Sequence, residues 1–245
     1  MDAAYRDFIA GRREDILARM EAALAESGRT RADAKLVAVS KTVGVDEVLA
    51  AIDAGYRIFG ENRPQELVRK LDALGAVEGL PPVRFDMIGN LQKNKVNAVL
   101  GRAELIHSIG SLHLADAVSA RVERRMAEGG MSAPQPVLLE VNVSGEESKS
   151  GFSPEEVRAS LDDLRGLCGI DILGLMTMAP RGDKTVARAC FSDLRELRDE
   201  LAAASGLSLP ELSCGMSEDF EAALAEGSTI VRLGRVVFDP AFAVR

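Results

Sequence analysis

Histidine, cysteine and tryptophan are scarce in this chain of 245 residues, which has two, three and none of them. With only His107 and His113 present, a multi-histidine metal centre and a histidine-based catalytic triad are both disfavoured. The three cysteines, Cys168, Cys190 and Cys214, lie far apart without the spacing of metal ligands, and an odd number does not suit a disulfide framework. We therefore expect no metal site and a reducing, cytoplasmic environment.

An excess of positive charge and a long apolar run are also missing. Lys and Arg together number 30 against 38 Asp and Glu residues, which gives a net charge of −8. Such a field repels a phosphate backbone, so nucleic acid is not an expected partner. No stretch approaches the ~20 apolar residues that span a bilayer. The amino terminus lacks the charged-then-apolar order of a signal peptide, and we expect no membrane association.

What the chain does contain is an alternation of short apolar runs with amphipathic helical patterns. Each run except the last is followed by a helical pattern, and no linker separates the units. A doubly wound open sheet and a closed (β/α)8 barrel both fit, but eight units in this length match a typical barrel of ~250 residues. We predict an α/β fold: a single TIM barrel domain over residues 1–245, with an extra N-terminal covering helix within 1–30. The predicted strands are 36–41, 57–59, 83–88, 104–107, 136–142, 170–175, a strand ending at 212–213, and 230–233.

The first predicted strand ends abruptly in a lysine, Lys41. Barrels place their chemistry at the carboxyl ends of the strands, so this side chain is expected to point into the mouth. One interpretation is a solvated lysine just past a strand. The other is an imine-forming amine, which must be desolvated or crowded by other cations to be partly deprotonated. Further strand-end residues expected at the mouth are Asn62, Asn90, His107, Ser108, Asn142, Met176, Thr177, Ser213, Gly215, Arg232 and Gly234.

Two short polar loops follow the seventh and eighth predicted strands, at Ser213–Ser217 and Leu233–Arg235. In barrels the loops at these two positions often hold a phosphate on backbone N–H groups. Tight βα turns alone also explain the glycines in them. Because both loops face a strand-end lysine, a phosphate-bearing aldehyde is a reasonable ligand.

Motifs spread over residues 31–238 resemble those of the pyridoxal phosphate homeostasis proteins. They occur in the order of that family and together form a specific combination. The motifs are Leu36–Thr42 (LVAVSKT), Phe59–Asn62 (FGEN), Ile88–Gln92 (IGNLQ) with Asn94–Lys95, Ile106–Ser108 (IHS), Val141–Asn142 with Ser148–Gly151 (SKSG), Gly174–Met176, Leu212–Ser217 (LSCGMS), Gly227–Thr229 and Val231–Gly234 (VRLG).

The resemblance implies a barrel like the N-terminal domain of bacterial alanine racemase, with pyridoxal 5′-phosphate (PLP) as its cofactor. It implies that Lys41 carries PLP in Schiff-base linkage. It also implies that Asn62 and Met176 line the pocket for the ring. These roles come from the matching positions and not from spacing or composition.

The same resemblance implies the remaining cofactor contacts. Ser213, Gly234 and the backbone near Arg235 would bind the phosphate, and Arg232 would face the pyridine nitrogen. An arginine there keeps that nitrogen unprotonated, which weakens the ring as an electron sink.

The function implied by the resemblance is PLP homeostasis without robust catalysis, with apo PLP-dependent enzymes as recipients of the cofactor. Related racemases use a second base and a further domain. This chain has only Tyr5 and Tyr56 as tyrosines and little sequence after the eighth strand, so we expect a monomeric carrier and not an enzyme. A PLP-dependent racemase or decarboxylase acting on amino acids is the alternative. A class I aldolase, in which Lys41 binds a sugar phosphate, is a second.

Four residues of this chain depart from the family pattern. Asn90 stands where histidine is common, Lys93 where serine is, and Cys214 where methionine is. Arg235 replaces a common threonine in the phosphate loop, where a guanidinium can serve instead of the hydroxyl. The tail at 238–242 also lacks the usual glycine. None of these changes affects Lys41.

Overall fold

In the computed structural model, which describes residues 2–146 and 148–243, eight parallel strands close into a barrel with helices outside it. Each strand pairs with its neighbour in sequence, and the last closes the ring by pairing with the first. The predicted (β/α)8 barrel is therefore confirmed. The strands are β1 (Lys35–Val39), β2 (Ile58–Glu61), β3 (Arg84–Met87), β4 (Ile106–Ile109), β5 (Gln135–Glu140), β6 (Ile170–Met176), β7 (Glu211–Ser213) and β8 (Ile230–Leu233).

The helices alternate with these strands along the chain. Short 3-10 turns at Arg31–Asp33 and Lys93–Lys95 precede β1 and the fourth helix. The helices are α1 (Ala3–Ala25), α2 (Val45–Asp53), α3 (Pro64–Gly75), α4 (Val96–Val99), α5 (Leu112–Ala127), α6 (Pro154–Ala159), α7 (Leu161–Arg165), α8 (Lys184–Ser205), α9 (Phe220–Ala225) and α10 (Arg235–Phe238).

The strands are rich in apolar residues because both of their faces are largely buried, one towards the barrel axis and one towards the helices. Side chains two residues apart share a face. One apolar cluster therefore collects residues from strands around the ring. Between strands and helices, Phe59 and Phe85 stack with ring centroids 5.3 Å apart. The axis-facing cluster consists of Val37, Leu105, Leu138, Met176 and Ile230.

The N-terminal helix α1 lies outside the barrel, as expected for an extra element. It packs against α2, α9 and α10. Its buried face includes Ile16, Met20 and Leu24, and Arg19 pairs with Glu221 of α9 at 2.6 Å. The helix thus joins the first and last parts of the chain on one side of the barrel.

Several elements differ from their predicted form. The strand β4 covers Ile106–Ile109 and not 104–107, so His107 lies inside the strand and not at its end, and β5 ends at Glu140, two residues before its predicted end. The strand β1 ends at Val39, so Lys41 lies in the turn that follows it. The helix expected after Ser153 is broken at Ser160 into α6 and α7. The last strand is followed by α10, which has only four residues and is too short to show a helical period in sequence.

The predicted domain of residues 1–245 also takes in Met1, Glu147, Val244 and Arg245, which lie outside the described residues. Across 2–146 and 148–243, no helix is both long and apolar enough to cross a bilayer. Over the same ranges, no group of three or more His, Cys, Asp or Glu side chains is placed to hold a metal ion.

Candidate functional site

A cavity of about 710 Å³ lies in the mouth of the barrel, at the carboxyl ends of the strands. The period of two explains why three strand side chains reach it. Val39, Glu140 and Arg232 each come two residues after a member of the axis-facing cluster, namely Val37, Leu138 and Ile230. The βα loops supply the other walls. The charged side chains that line it are Lys41, Arg63, Arg181, Arg232 and Arg235, with the carboxyl groups of Glu140, Glu218 and Asp219.

Lys41 lies two residues beyond β1, and a buried ion pair holds the backbone behind it. Lys70 Nζ donates to Glu61 Oε1 and, at 2.6 Å, to the carbonyl oxygen of Ser40. Ser40 Oγ donates to Glu61 Oε1 at 2.6 Å. Glu61 and Lys70 are each 1% exposed. This network therefore fixes the peptide from which Lys41 projects into the cavity.

Asn62 follows β2 directly and also lines the cavity. Its Oδ1 is buried and has no hydrogen-bond partner among the described residues. Gly89 lies against it so closely that a Cβ at this position would come within 2.4 Å of the Asn62 Cβ. Only glycine permits this approach, and the Asn62 amide is left free to meet a ligand.

Arg232 is held by a second buried network that runs across the barrel. Its Nη2 donates to the carbonyl oxygen of Thr177 at 3.0 Å, and its Nη1 donates to Ser213 Oγ. His107 Nδ1 lies 2.9 Å from the same hydroxyl, and its Nε2 lies 3.4 Å from Asp86 Oδ2. Burial lowers the pKa of His107 although Asp86 acts in the opposite direction, so this imidazole is neutral at pH 7.

The loops after β7 and β8 meet on one wall of the cavity. Ser217 Oγ accepts the N–H of Val236 at 3.2 Å, which ties the β7 loop to α10. Gly234 and Arg235 line the cavity where α10 begins. The Arg235 guanidinium pairs with Glu218. A hydroxyl, a residue without a side chain and a guanidinium thus converge where an anion is readily held.

Two carboxyl groups of the cavity wall are largely buried. Burial raises the pKa of Glu140, and Arg232 offsets part of that rise. Burial also raises the pKa of Asp219, whose Oδ1 accepts the Met216 N–H at 2.6 Å. Both groups are therefore more easily protonated than ordinary surface carboxyls.

Most of the residues assigned by resemblance meet at this cavity. Met176 packs in the apolar cluster of the strands and does not line the cavity. Ser213 is fully buried beneath Arg232. His107, expected at the mouth, is also fully buried below it. The assigned residues that do line the cavity are Lys41, Asn62, Arg232, Gly234 and Arg235.

Several lining residues were missed from sequence. Asp219 follows the loop after β7, and Arg63 and Arg181 come from other loops, where side-chain direction has no period to reveal it. Ser217 belongs to the loop Ser213–Ser217 that was expected to hold a phosphate. Glu140 has a readable signal, because its place two residues after Leu138 puts it on the axis-facing side of the strand.

Comparison with known proteins gives relatives along nearly the whole chain. Residues 17–240 match the family described as alanine racemase, N-terminal domain. The chain is 39% identical over 224 residues to a pyridoxal phosphate homeostasis protein of Aquifex aeolicus, covering 91% of this chain and 94% of that relative. It also resembles PipY of Synechococcus elongatus, solved with PLP bound, at 31% identity and a TM-score of 0.80, covering 94% of this chain and 99% of that one. An alanine racemase from Corynebacterium glutamicum shares the fold at 15% identity and a TM-score of 0.65, covering 95% of this chain and 63% of that one.

Proposed function

Because the chain belongs to the pyridoxal phosphate homeostasis proteins, which have the fold of the alanine racemase N-terminal domain, we propose that it binds PLP in the barrel mouth and serves intracellular PLP homeostasis. The PLP-bound state of the similar PipY supports this cofactor. The observation that carries the proposal is that Lys41, Asn62 and Arg232 line one cavity together with Ser217 and Arg235.

The residues present fit this cofactor in three ways. Asn62 lines the cavity, and its buried Oδ1 has no hydrogen-bond partner among the described residues. Arg232 donates one N–H to Ser213 and one to Thr177, so the guanidinium retains further donors. Ser217, at the wall where α10 begins, offers a hydroxyl to a dianionic phosphate.

Each residue then has a separate task. PLP supplies an aldehyde that condenses reversibly with a primary amine. Lys41 offers that amine as the Schiff-base partner, and the Glu61–Lys70 ion pair keeps its backbone in place. Gly234 and Arg235 hold the phosphate end, while Ser213 acts from below by orienting Arg232.

Arg232 bears on whether the chain is an enzyme. A guanidinium does not give up its proton near neutral pH, so it can hold the pyridine nitrogen without protonating it. That arrangement weakens the ring as an electron sink. Neither Tyr5 nor Tyr56 is among the lining residues, and the Tyr5 hydroxyl donates to the Phe238 carbonyl oxygen at 3.1 Å. We therefore propose binding and release of PLP without robust turnover.

The alternative is a PLP-dependent racemase or decarboxylase, since alanine racemases share the fold. Incubating the PLP-loaded chain with single L-amino acids distinguishes the two functions. The carrier proposal expects no sustained formation of D-enantiomer or amine. Turnover at the rate of an ordinary enzyme would replace it by the alternative.

We propose apo PLP-dependent enzymes as the recipients of the cofactor. Mixing the loaded chain with such an apo-enzyme, and following its recovery of activity with free PLP trapped, tests this transfer. A monomeric state, a cytoplasmic location and the absence of a nucleic-acid partner stay predictions.

The direct test of PLP binding is a titration followed by near-visible absorbance. The wild-type chain is expected to develop the absorption band of a protein-bound PLP imine, and Lys41→Ala is expected to lose it. Lys184→Ala, at an exposed lysine outside the cavity lining, is the matched control and should retain the band. A colourless wild-type chain, or a band that survives Lys41→Ala, would contradict the proposal.

A further inference from the structure

The wall of the mouth that is proposed to hold the phosphate also carries a carboxyl group, that of Glu218. Glu218 and Arg235 both line the cavity, and Arg235 Nη2 donates to Glu218 Oε1 at 2.5 Å. About half of each side chain is exposed, so neither is locked in the interior. The guanidinium assigned to the phosphate therefore already has an anionic partner within the chain.

The backbone holds these two side chains next to each other. Ser217 Oγ accepts the Val236 N–H at 3.2 Å, which joins the loop after β7 to α10. Glu218 follows Ser217, and Arg235 precedes Val236, so this bond brings the two charged residues to the same place. The ion pair thus follows from the way the two loops are joined and is not a chance meeting of two long side chains.

Two neighbours of the ion pair add to its effect on an incoming anion. The Arg235 guanidinium lies over the Phe242 ring, with its Cζ 4.9 Å from the ring centroid, which also holds it in place. Asp219 lines the same wall, and burial, with a contribution from the charge of Glu218, raises the pKa of its carboxyl group. A phosphate that enters therefore meets a guanidinium that is already paired and a carboxylate that repels it.

We propose that Glu218 competes with the phosphate of PLP for Arg235, so that the mouth holds the phosphate less tightly than its donors allow. For the phosphate to use this guanidinium, the contact with Glu218 must be given up, and the carboxylate stays close enough to displace the phosphate again. Such reversible binding suits a chain that holds a cofactor for other proteins. The inference rests on the proposed function and adds the residue that sets the strength of phosphate binding.

Titration of the full chain with PLP, followed by near-visible absorbance, tests the competition. Glu218→Gln is expected to bind PLP about two- to fivefold more tightly than wild type, which is the range that an exposed ion pair supports. Pyridoxal has the same aldehyde but no phosphate, so its affinity should be the same for both proteins. Glu200→Gln, which removes a carboxylate from an exposed pair with Arg158, is the matched control and should leave PLP affinity unchanged.

The same substitution in an Arg235→Gln background separates competition for the guanidinium from simple charge repulsion. Arg235→Gln alone should weaken PLP binding, and Glu218→Gln added to it should have little further effect. Equal tightening in both backgrounds, or equal tightening for PLP and pyridoxal, would overturn the inference. So would a PLP affinity that Glu218→Gln leaves unchanged or lowers.

Calorimetric titration with inorganic phosphate keeps this inference separate from the proposed function. Glu218→Gln is expected to bind phosphate more tightly than wild type whether or not the chain binds PLP. Tighter phosphate binding without PLP binding would contradict the proposed function alone. A chain that binds PLP at Lys41 but gains no PLP affinity from Glu218→Gln contradicts this inference alone. If neither PLP nor phosphate binds, both fail.

Discussion

Two buried polar networks lie beneath the mouth, and they support it in different ways. Behind Lys41, the network of Ser40, Glu61 and Lys70 is a compact ion pair in which the ammonium group also holds a backbone carbonyl. It consists of two opposite charges that are both fully buried. This network fixes the main chain at the end of β1.

Behind Arg232, the network is a chain of weaker contacts. Ser213 links the guanidinium to a neutral His107, and His107 approaches Asp86 at 3.4 Å. The far end is incompletely satisfied, since Asp86 Oδ1 and Arg84 Nε have no hydrogen-bond partner in the described part of the chain. This network fixes the side chain of Arg232 at the end of β8.

The difference has an energetic consequence. Removing one charge from the first network leaves the other buried and uncompensated. Removing the neutral His107 from the second leaves buried hydrogen-bonding groups unpaired, but Asp86 keeps Arg84 as a counter-charge at 3.6 Å. Breaking the first network is therefore expected to endanger the fold. Breaking the second is expected to change chiefly the pH dependence of stability and the orientation of Arg232.

The largest effect is expected from Lys70→Met, which leaves Glu61 buried without its partner. We expect the free energy of unfolding to fall by about 3–5 kcal/mol, measured by denaturant titration. The double variant Glu61→Gln with Lys70→Met removes both charges and should be less destabilised than Lys70→Met alone. A single variant as stable as wild type would show that the ion pair does not support the mouth.

An intermediate effect is expected from His107→Gln and concerns pH. Because burial lowers the pKa of His107 below its ordinary value of 6.5, the unfolded chain binds the proton first as pH falls. The stability that neutral His107 contributes above pH 6.5 is then lost towards its lower folded pKa, by up to about 1.4 kcal/mol per pH unit.

The raised pKa values of Glu140 and Asp219 act with the opposite sign, and both groups remain in the variant. The pH range from about 7.5 to about 5.5 brackets the ordinary histidine pKa of 6.5. As pH is lowered through this range, we therefore expect the thermal unfolding midpoint of His107→Gln to fall less than that of wild type. Parallel pH profiles for the two proteins would contradict the assignment of a neutral histidine.

The smallest effect on stability is expected from Asn62→Ala, just beyond the first network. No hydrogen bond of the Asn62 side chain to a described residue is lost, so stability should change by less than about 0.5 kcal/mol. On the proposed function, PLP affinity should fall nevertheless. A large loss of stability with unchanged PLP affinity would make Asn62 a structural residue.

The barrel could be predicted from sequence because its signal is repeated. Eight runs rich in apolar residues alternate with helical patterns, as expected where both faces of each strand are largely buried. The helix α10 could not be predicted, because four residues show no period. Lys70 lies on a helix whose buried side otherwise contains Leu67 and Leu74, and nothing local distinguishes a buried lysine from a solvated one.

The candidate site was predictable only in part. Lys41 and Arg232 belong to strand ends, whose position follows from the fold. Ser213 also ends a strand, but the depth of a side chain below the mouth depends on the stagger of neighbouring strands, which one sequence does not reveal. The contact of Ser213 with His107 across the barrel joins residues 106 positions apart and has no local signal.

The central claim, that Lys41 is the residue that binds PLP covalently, has one direct measurement. The PLP-loaded chain is reduced with borohydride, digested and mapped by mass spectrometry. We expect the pyridoxyl phosphate group on the peptide that contains Lys41. Its presence on another lysine with Lys41 unmodified, or its absence from every peptide, would contradict the account.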